Sequence, residues 1–402
     1  MVAVYSLLST TTMIYFDNNA TTQVAPEVVA EMLPYFSELY GNPSAGYRFA
    51  RKSKEAIELA RQRVATLVGA ESGEIVFTSC GTESNNSAVA SALRVFPDRK
   101  HLVVSAVEHS AILKYCASLE ELGYETTVLP VDRGGRIDPE GLRAAIRPDQ
   151  TALVSLMWAN NETGVISPVA EAAGIASDAG VLFHTDAVNA MGKVPIDAPG
   201  CGAHFMSLSG HKFHAPKGVG ALYVRRGTRF RPMLIGGGQE DQRRAGTEAV
   251  AQLAGLGKAA ELATATLPES GRIRDMRDDF ERKLQAALTG VRLNGDLVHR
   301  LPNTTHASFD GVDAGDLLVL MDEAELCCSS GSACSTGAVK PSHVMMAMGH
   351  TEERAKSSLR FSLSRYNQPA EVDVAVATVA AAVEKLRALK PSGSGPVIPA
   401  GG

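Results

Sequence analysis

The stretch CCSSGSACSTG, residues 327–337, sets Cys327, Cys328 and Cys334 in a run with no bulky side chain from Ser329 to Thr336. Which of these thiols does chemistry, if any, is open at this point; a loop of small residues is where a reactive thiol could meet a substrate, and Cys334 stands within one. Cys327 and Cys328 directly follow the apolar LLVLMDEAEL and read instead as small packed hydrophobes. Zinc is the competing chemistry. No C-x-x-C pair is present in the stretch and His343 is the only nearby imidazole, so metal binding ranks below nucleophilic catalysis.

A second reactive candidate lies in SLSGHKFHAPKG, where Lys212 stands among Ser209, His211 and His214. A lysine in a partly dry pocket has a lowered ammonium pKa and can condense with a carbonyl compound. Ser209 and Lys212 also fit S-x-x-K, the serine–lysine signature of penicillin-binding enzymes, but there is no K-T-G partner and Ser209 does not open a helix. In FTSCGTESNN, Gly81 and Thr82 fall between a strand and a helix, where free backbone N–H groups and the helix dipole favour a phosphate. Thr82 as a plain N-cap, with Glu83 or Ser84 completing the helix start, is the competing reading. His109 in SAVEHSAI and Asp186 in HTDAVNAMGK occupy two further strand exits, positions that hold turn and cap residues more often than catalysts.

These residues need a scaffold, and the sequence predicts one. From residue 75, short β-branched runs alternate with longer helical patterns: EIVFT, HLVVSAV, TALVSLMW and VLFHTD are each separated by an amphipathic stretch. That is the pattern of an α/β fold with a mostly parallel sheet covered by helices on both faces. Ligand groups in such sheets lie beyond the carboxyl ends of the strands, where Gly81, His109 and Asp186 stand. AHFMSLSGHKFHAPKGVGALYVRR then reads as two strands around a polar loop. The charged helical stretch ESGRIRDMRDDFERKLQAALTG marks a change of domain near residue 265. Beyond it, NTTHASFDG, DLLVLMDEAEL and SSLRFSLS predict a smaller α+β unit, and PSGSGPVIPAGG is linker-like. No internal repeats are evident.

The chain has 402 residues, 45% hydrophobic and 21% charged, enough for two domains and a sizeable core. A formal net charge of -5 gives no basic footprint for nucleic acid or anionic membranes, so small molecules and proteins are the expected partners. Six cysteines without regular spacing fit reduced thiols in a cytoplasm better than a secreted disulfide framework. MVAVYSLLSTTTM lacks a basic n-region and a long apolar run, so no export signal is expected and a start at Met13 would lose nothing assignable. No run of about 20 apolar residues offers a membrane span.

Together, Lys212 in SGHKFHAPKGVG, Asp186 in HTDAVNAMGK, His109 in EHSA and the FTSCGTES loop resemble the pyridoxal-phosphate enzymes of aminotransferase class V, most closely the cysteine desulfurases of the NifS type. YFDNNATT, GNPS, MWANNETG, RRGTRFRP, RRAGTEA, SSGSACSTG and RFSLSRY extend the resemblance from about Ile14 to beyond Arg365. The resemblance implies the pyridoxal-phosphate-dependent fold type I, with a seven-stranded, mostly parallel sheet in a large cofactor-binding domain (26–264). Residues 13–25 and 265–390 would form a small domain carrying the cysteine loop, and 391–402 a flexible tail. Lys212 would bind the cofactor carbonyl and shuttle protons, Asp186 would face the pyridine nitrogen, and His109 would stack on the ring and assist proton transfer. Gly81, Thr82, Ser209 and His211 would hold the phosphate, with Thr247 of a second subunit in a homodimer. Asn161 and residue 189 would lie near the ring oxygen O3′, Asn161 also near the substrate carboxylate, which Arg360 would grip. Cys334 would take sulfur from L-cysteine as a persulfide, leaving L-alanine, and pass it to an iron–sulfur scaffold protein, with supply to nitrogenase implied by the NifS likeness. No metal would be held by the free enzyme, Cys334 acting at most as a transient iron–sulfur ligand.

Several positions depart from the family pattern. Asn189 stands where Gln is usual, one methylene short of its contact with O3′; Tyr47 replaces a common His, and Ala249 a common Asn. Cys80 is expected to pack beneath the phosphate loop. Two other readings compete: a class V lyase or transaminase, which would need no thiol, and a non-enzymatic sulfur carrier, which would not need Lys212, Asp186 and Cys334 together.

Overall fold

The computed structural model describes residues 13–330 and 340–389. Cys334, the proposed tail at 391–402 and the segment 1–12 that a start at Met13 would omit lie outside the described residues.

Twelve strands form three sheets among the described residues. They are β1 (Ile14–Tyr15), β2 (Ile75–Thr78), β3 (His101–Ser105), β4 (Glu125–Leu129), β5 (Thr151–Ser155), β6 (Leu182–Asp186), β7 (Phe205–Ser209), β8 (Gly220–Val224), β9 (Val291–Leu293), β10 (Thr304–Phe309), β11 (Leu326–Cys327) and β12 (Ser358–Ser362). The main sheet has seven strands in the order β2-β8-β7-β6-β5-β3-β4, parallel except where β8 runs against both neighbours. Its apolar runs bury both faces, and alternate residues separate cleanly: Ile75, Phe77, Val103 and Phe183 enter one core, while Val76, Leu102, Val104 and Phe205 enter the other. The expected α/β class and seven-stranded sheet are therefore observed.

A further core gathers Phe16, Phe280, Phe309 and Phe361 around the three-stranded sheet β12-β10-β9 and the helix Pro369–Leu389. Phe280 meets Phe16 edge-on at 5.9 Å and packs at a tilt against Phe361 at 5.0 Å. The N-terminal segment is part of this unit: β1 pairs with β11, and Asn18 N–H donates to the Ser362 carbonyl at 3.1 Å. From there the chain crosses to the large sheet, where Thr22 N–H donates to the His211 carbonyl at 2.9 Å.

Candidate active site

A cavity of about 370 Å³ opens at the carboxyl ends of β6 and β7, against β12 and the segment after β1. Lys212 ends the short 3-10 turn that follows β7, and its Nζ donates to the backbone carbonyls of Asn19 at 2.5 Å and Ala20 at 2.9 Å. Burial, reinforced by the nearby Arg360 cation and opposed by Asp186 and Asp17, lowers its pKa to about 8. At neutral pH this raises the free-amine fraction about 300-fold over an ordinary lysine.

Asp186 terminates β6, buried in the cavity wall. Its carboxyl accepts from Val188 N–H at 3.0 Å and from Asn85 Nδ2 at 2.7 Å. Asn85 sits one helical turn beyond Gly81 on the helix Gly81–Val95, so it faces the same cavity. That helix begins without a side-chain cap, and Thr82 is exposed at its first turn. The N-cap reading of Thr82 therefore fails: Cys80 occupies the cap position, and Gly81 and Thr82 line the cavity. Cys80 also lines it and is only partly buried, which corrects the expectation that it packs beneath the loop. Ser209 and His211 close this end of the cavity. Burial beside Lys212 lowers the His211 pKa to about 4, so at neutral pH it offers a ring N–H and not a cation.

His109 is a cap residue, as its loop position suggested, and it also lines the cavity. Its Nδ1 accepts from Ala111 N–H at 3.1 Å, capping the helix Ser110–Glu120, while its ring lines the cavity. Burial lowers its pKa, against the pull of Asp186. Arg360, buried on β12, reaches the opposite wall; its Nη1 donates to the Asn161 carbonyl at 2.9 Å and its Nη2 to Asp17 at 2.6 Å. Its Nε is buried without a partner among the described residues. Asn161 and Asn189 line the same cavity, and Asn189 Nδ2 is likewise buried and unpaired. Of the expected residues, Thr247 is exposed and away from this cavity, and Cys334 lies outside the described residues. Cys328 packs against the core that contains Phe16, and Cys327 pairs in β11, consistent with their structural reading.

Sequence reasoning missed Asp17, Asn19, Asn85 and Glu108. Glu108, next to His109, is fully buried; its Oε1 accepts from Met157 N–H at 2.6 Å and Ser105 Oγ at 2.9 Å, while Oε2 has no partner among the described residues. Burial, with the Asp186 charge acting in the same direction, pushes this carboxyl up to about 8 against the hydrogen bonds from Met157 and Ser105. The folded chain thus holds a proton that the unfolded chain has released above about pH 4.5. Stability from this group is complete below that pH and is lost as pH rises through about 8. Glu108→Gln should remove that slope, so that thermal melts at pH 8.5 exceed wild type by a few degrees while those at pH 5 change little; equal slopes in the two proteins would refute a protonated Glu108.

The aminotransferase class-V family model matches residues 14–374. The chain belongs to aminotransferase class V. It is 49% identical over 379 residues to cysteine desulfurase 2 of Trichormus variabilis, covering 94% of this chain and 95% of that one. It is 48% identical over 388 residues to cysteine desulfurase NifS of Azotobacter vinelandii, covering 96% of each. Among solved structures, a NifS-like protein superposes with a TM-score of 0.87 at 33% identity, over 93% of this chain and all of that one. The structure of SspA in complex with cysteine gives a TM-score of 0.78 at 34% identity, over 89% and 100%.

Class V enzymes depend on pyridoxal phosphate, as the resemblance implied. The cavity fits that group: an uncapped helix start and neutral His211 suit a phosphate, a low-pKa amine suits an aldehyde, and the unpaired Asn189 Nδ2 suits an oxygen acceptor. A side chain at Gly81 would come within 2.8 Å of Val188, so the wall beside the helix start has no spare room.

Proposed function

We propose that this class V enzyme is a cysteine desulfurase that converts L-cysteine to L-alanine and leaves the sulfur as a persulfide on Cys334. The observation that carries the proposal is one cavity holding the low-pKa Lys212 amine between Asp186 and the unpaired Nε of Arg360. When bound, the cofactor supplies an electron sink for the substrate Cα. Gly81, Thr82, Ser209 and His211 would hold its phosphate, and Asp186, steadied by Asn85, would face its ring nitrogen. His109 would lie against the ring and assist proton transfer.

Arg360 would bind the substrate carboxylate with a charge-assisted pair, its planar head fixed beforehand by Asp17 and the Asn161 carbonyl. Lys212, released from the carbonyls of Asn19 and Ala20, would take the Cα proton and return it. The Cys334 thiolate would attack Sγ: the Cβ–S bond breaks, a new S–S bond forms, and protonated Cβ becomes the methyl of alanine. Ser329, whose backbone pairs with that of Arg360, lies five residues before Cys334, a tether of at most about 18 Å.

The reading extends to a homodimer in which Thr247 completes the partner's phosphate site. Exposed Leu33, Phe36, Tyr40, Tyr47 and Ile235 support such an interface. Residues 26–264 would form the large domain, with 13–25 and 265–390 forming the small one. A cytoplasmic location and delivery of sulfur to an iron–sulfur scaffold for nitrogenase maturation complete the proposal. Five unpaired cysteines among the described residues agree with a reducing compartment, and none of the described helices is long and apolar enough to cross a membrane. The purified holoenzyme, given L-cysteine and a dithiol, should release alanine and sulfide one to one. Pyruvate or ammonia in place of alanine would sink the desulfurase. Restored diazotrophic growth in a desulfurase-deficient nitrogen fixer would support the nitrogenase branch; rescue only on fixed nitrogen would assign the enzyme to general cluster assembly.

A further inference from the structure

Four residues beyond Asn189, in the segment that follows β6, a second lysine approaches the site. Lys193 Nζ donates to the Asn189 backbone carbonyl at 2.9 Å and to Asn189 Oδ1 at 3.0 Å. No ion pair to a carboxylate is formed by Lys193 among the described residues. Burial and the cations of Lys212 and Arg360 all disfavour its charge, and its pKa is held well below the ordinary lysine range. An amine so placed is costly, and an apolar side chain would serve packing better.

Its geometry does something packing could not. An asparagine carboxamide can present either end to a pocket, but an amine with one N–H on the residue's own carbonyl directs a second N–H to Oδ1, whether or not the amine is charged. The carboxamide nitrogen then faces away from Lys193, and Asn189 Nδ2 is indeed buried, unpaired and part of a residue lining the cavity.

We propose that Lys193 is a positioning residue: by holding Asn189 through Oδ1, it presents Nδ2 as a hydrogen-bond donor to the ring oxygen of pyridoxal phosphate. This rests on the assignment of Asn189 to the cofactor-facing wall. A fixed donor offsets the missing methylene of a side chain shorter than the usual Gln, because no rotamer search remains when the cofactor arrives.

The test strips the cofactor from the holoenzyme, titrates pyridoxal 5′-phosphate back, and then follows the pH midpoint of its visible absorbance. Lys193→Met should weaken cofactor affinity about tenfold and move that midpoint upward by about one pH unit, with Lys212 still covalently loaded. Asn189→Ala should do the same, and the double variant should be no worse than Asn189→Ala alone. An unchanged midpoint in Asn189→Ala would show that the wall assignment itself is wrong. A changed midpoint there with a wild-type Lys193→Met, or additive effects in the double variant, would overturn the positioning role. Because no carboxylate loses a partner, Lys193→Met should fold; if it does not, Lys193→Leu replaces it, and failure of both would also overturn the proposal by making the lysine a requirement of folding.

Discussion

Lys212→Ala is expected to fold, to bind pyridoxal phosphate without a covalent link, and to lose at least about 10³-fold in turnover. Two roles vanish together. The amine proposed to condense with the aldehyde is gone, and so is the base proposed to carry the Cα proton. Borohydride reduction followed by peptide mass mapping checks the first role, since wild type should retain the label on Lys212 and the variant should retain none. Alanine production checks the second. The pKa of about 8 also predicts the pH course of reloading in wild type: apoenzyme should take up cofactor faster as pH rises through about 8, because the free amine is the reacting form. A label that moved to Lys193 in the variant, with turnover preserved, would refute the assignment.

Cys334→Ala should show the complementary defect. Cofactor loading and cysteine-induced spectral change should match wild type, while persulfide, sulfide and alanine fall by about 10³-fold or more, because no sulfur acceptor remains. Neighbouring thiols cannot take over. Burial pushes the Cys328 thiol far above its ordinary range, and burial with the Asp322 charge raises Cys327, so both stay protonated at neutral pH. Cys327→Ala and Cys328→Ser should therefore keep turnover within about twofold. Substantial sulfide from Cys334→Ala, lost again on removing Cys327, would transfer the nucleophile to that residue.

What could be read from the sequence follows from how far apart the interacting residues are along the chain. The mostly parallel sheet was legible because six of its strands are apolar runs that announce themselves locally, and the strand exits locate Asp186, His109 and Gly81 without any long-range information. The seventh, β4, reads ETTVL and is only partly buried, so the count of seven came from the family resemblance alone. Lys212 was legible for the same reason, its Gly and Pro neighbours marking a restrained loop. Asn85 was within reach, since it lies four residues after Gly81 on a helix already predicted to start there. Asp17 and Asn19 were not: their roles depend on Arg360, Lys212 and Thr304, and Asp17 is 343 residues from Arg360. Glu108 was hidden by its neighbour, because nothing in a sequence distinguishes a surface glutamate in a loop from one enclosed beside Ser105 and Met157. The same limit applied to Asn189, whose shortness was visible while the lysine that holds it was not.

The pairing of the N-terminal segment with β11 and β12 has a consequence for how the protein is made. The carbonyls of Asn19 and Ala20 that hold Lys212 leave the ribosome well before the strands that anchor this segment, β11 and β12. At about 5 to 20 residues per second, the 343 residues between Asp17 and Arg360 take roughly 20 to 70 s to translate. Only in the last part of that interval, once β8 (Gly220–Val224) has been made, does the nascent polypeptide have all seven strands of the large sheet while still lacking Arg360, so on the proposed roles an aldehyde captured then would wait, unreactive, for the newborn molecule's final strand.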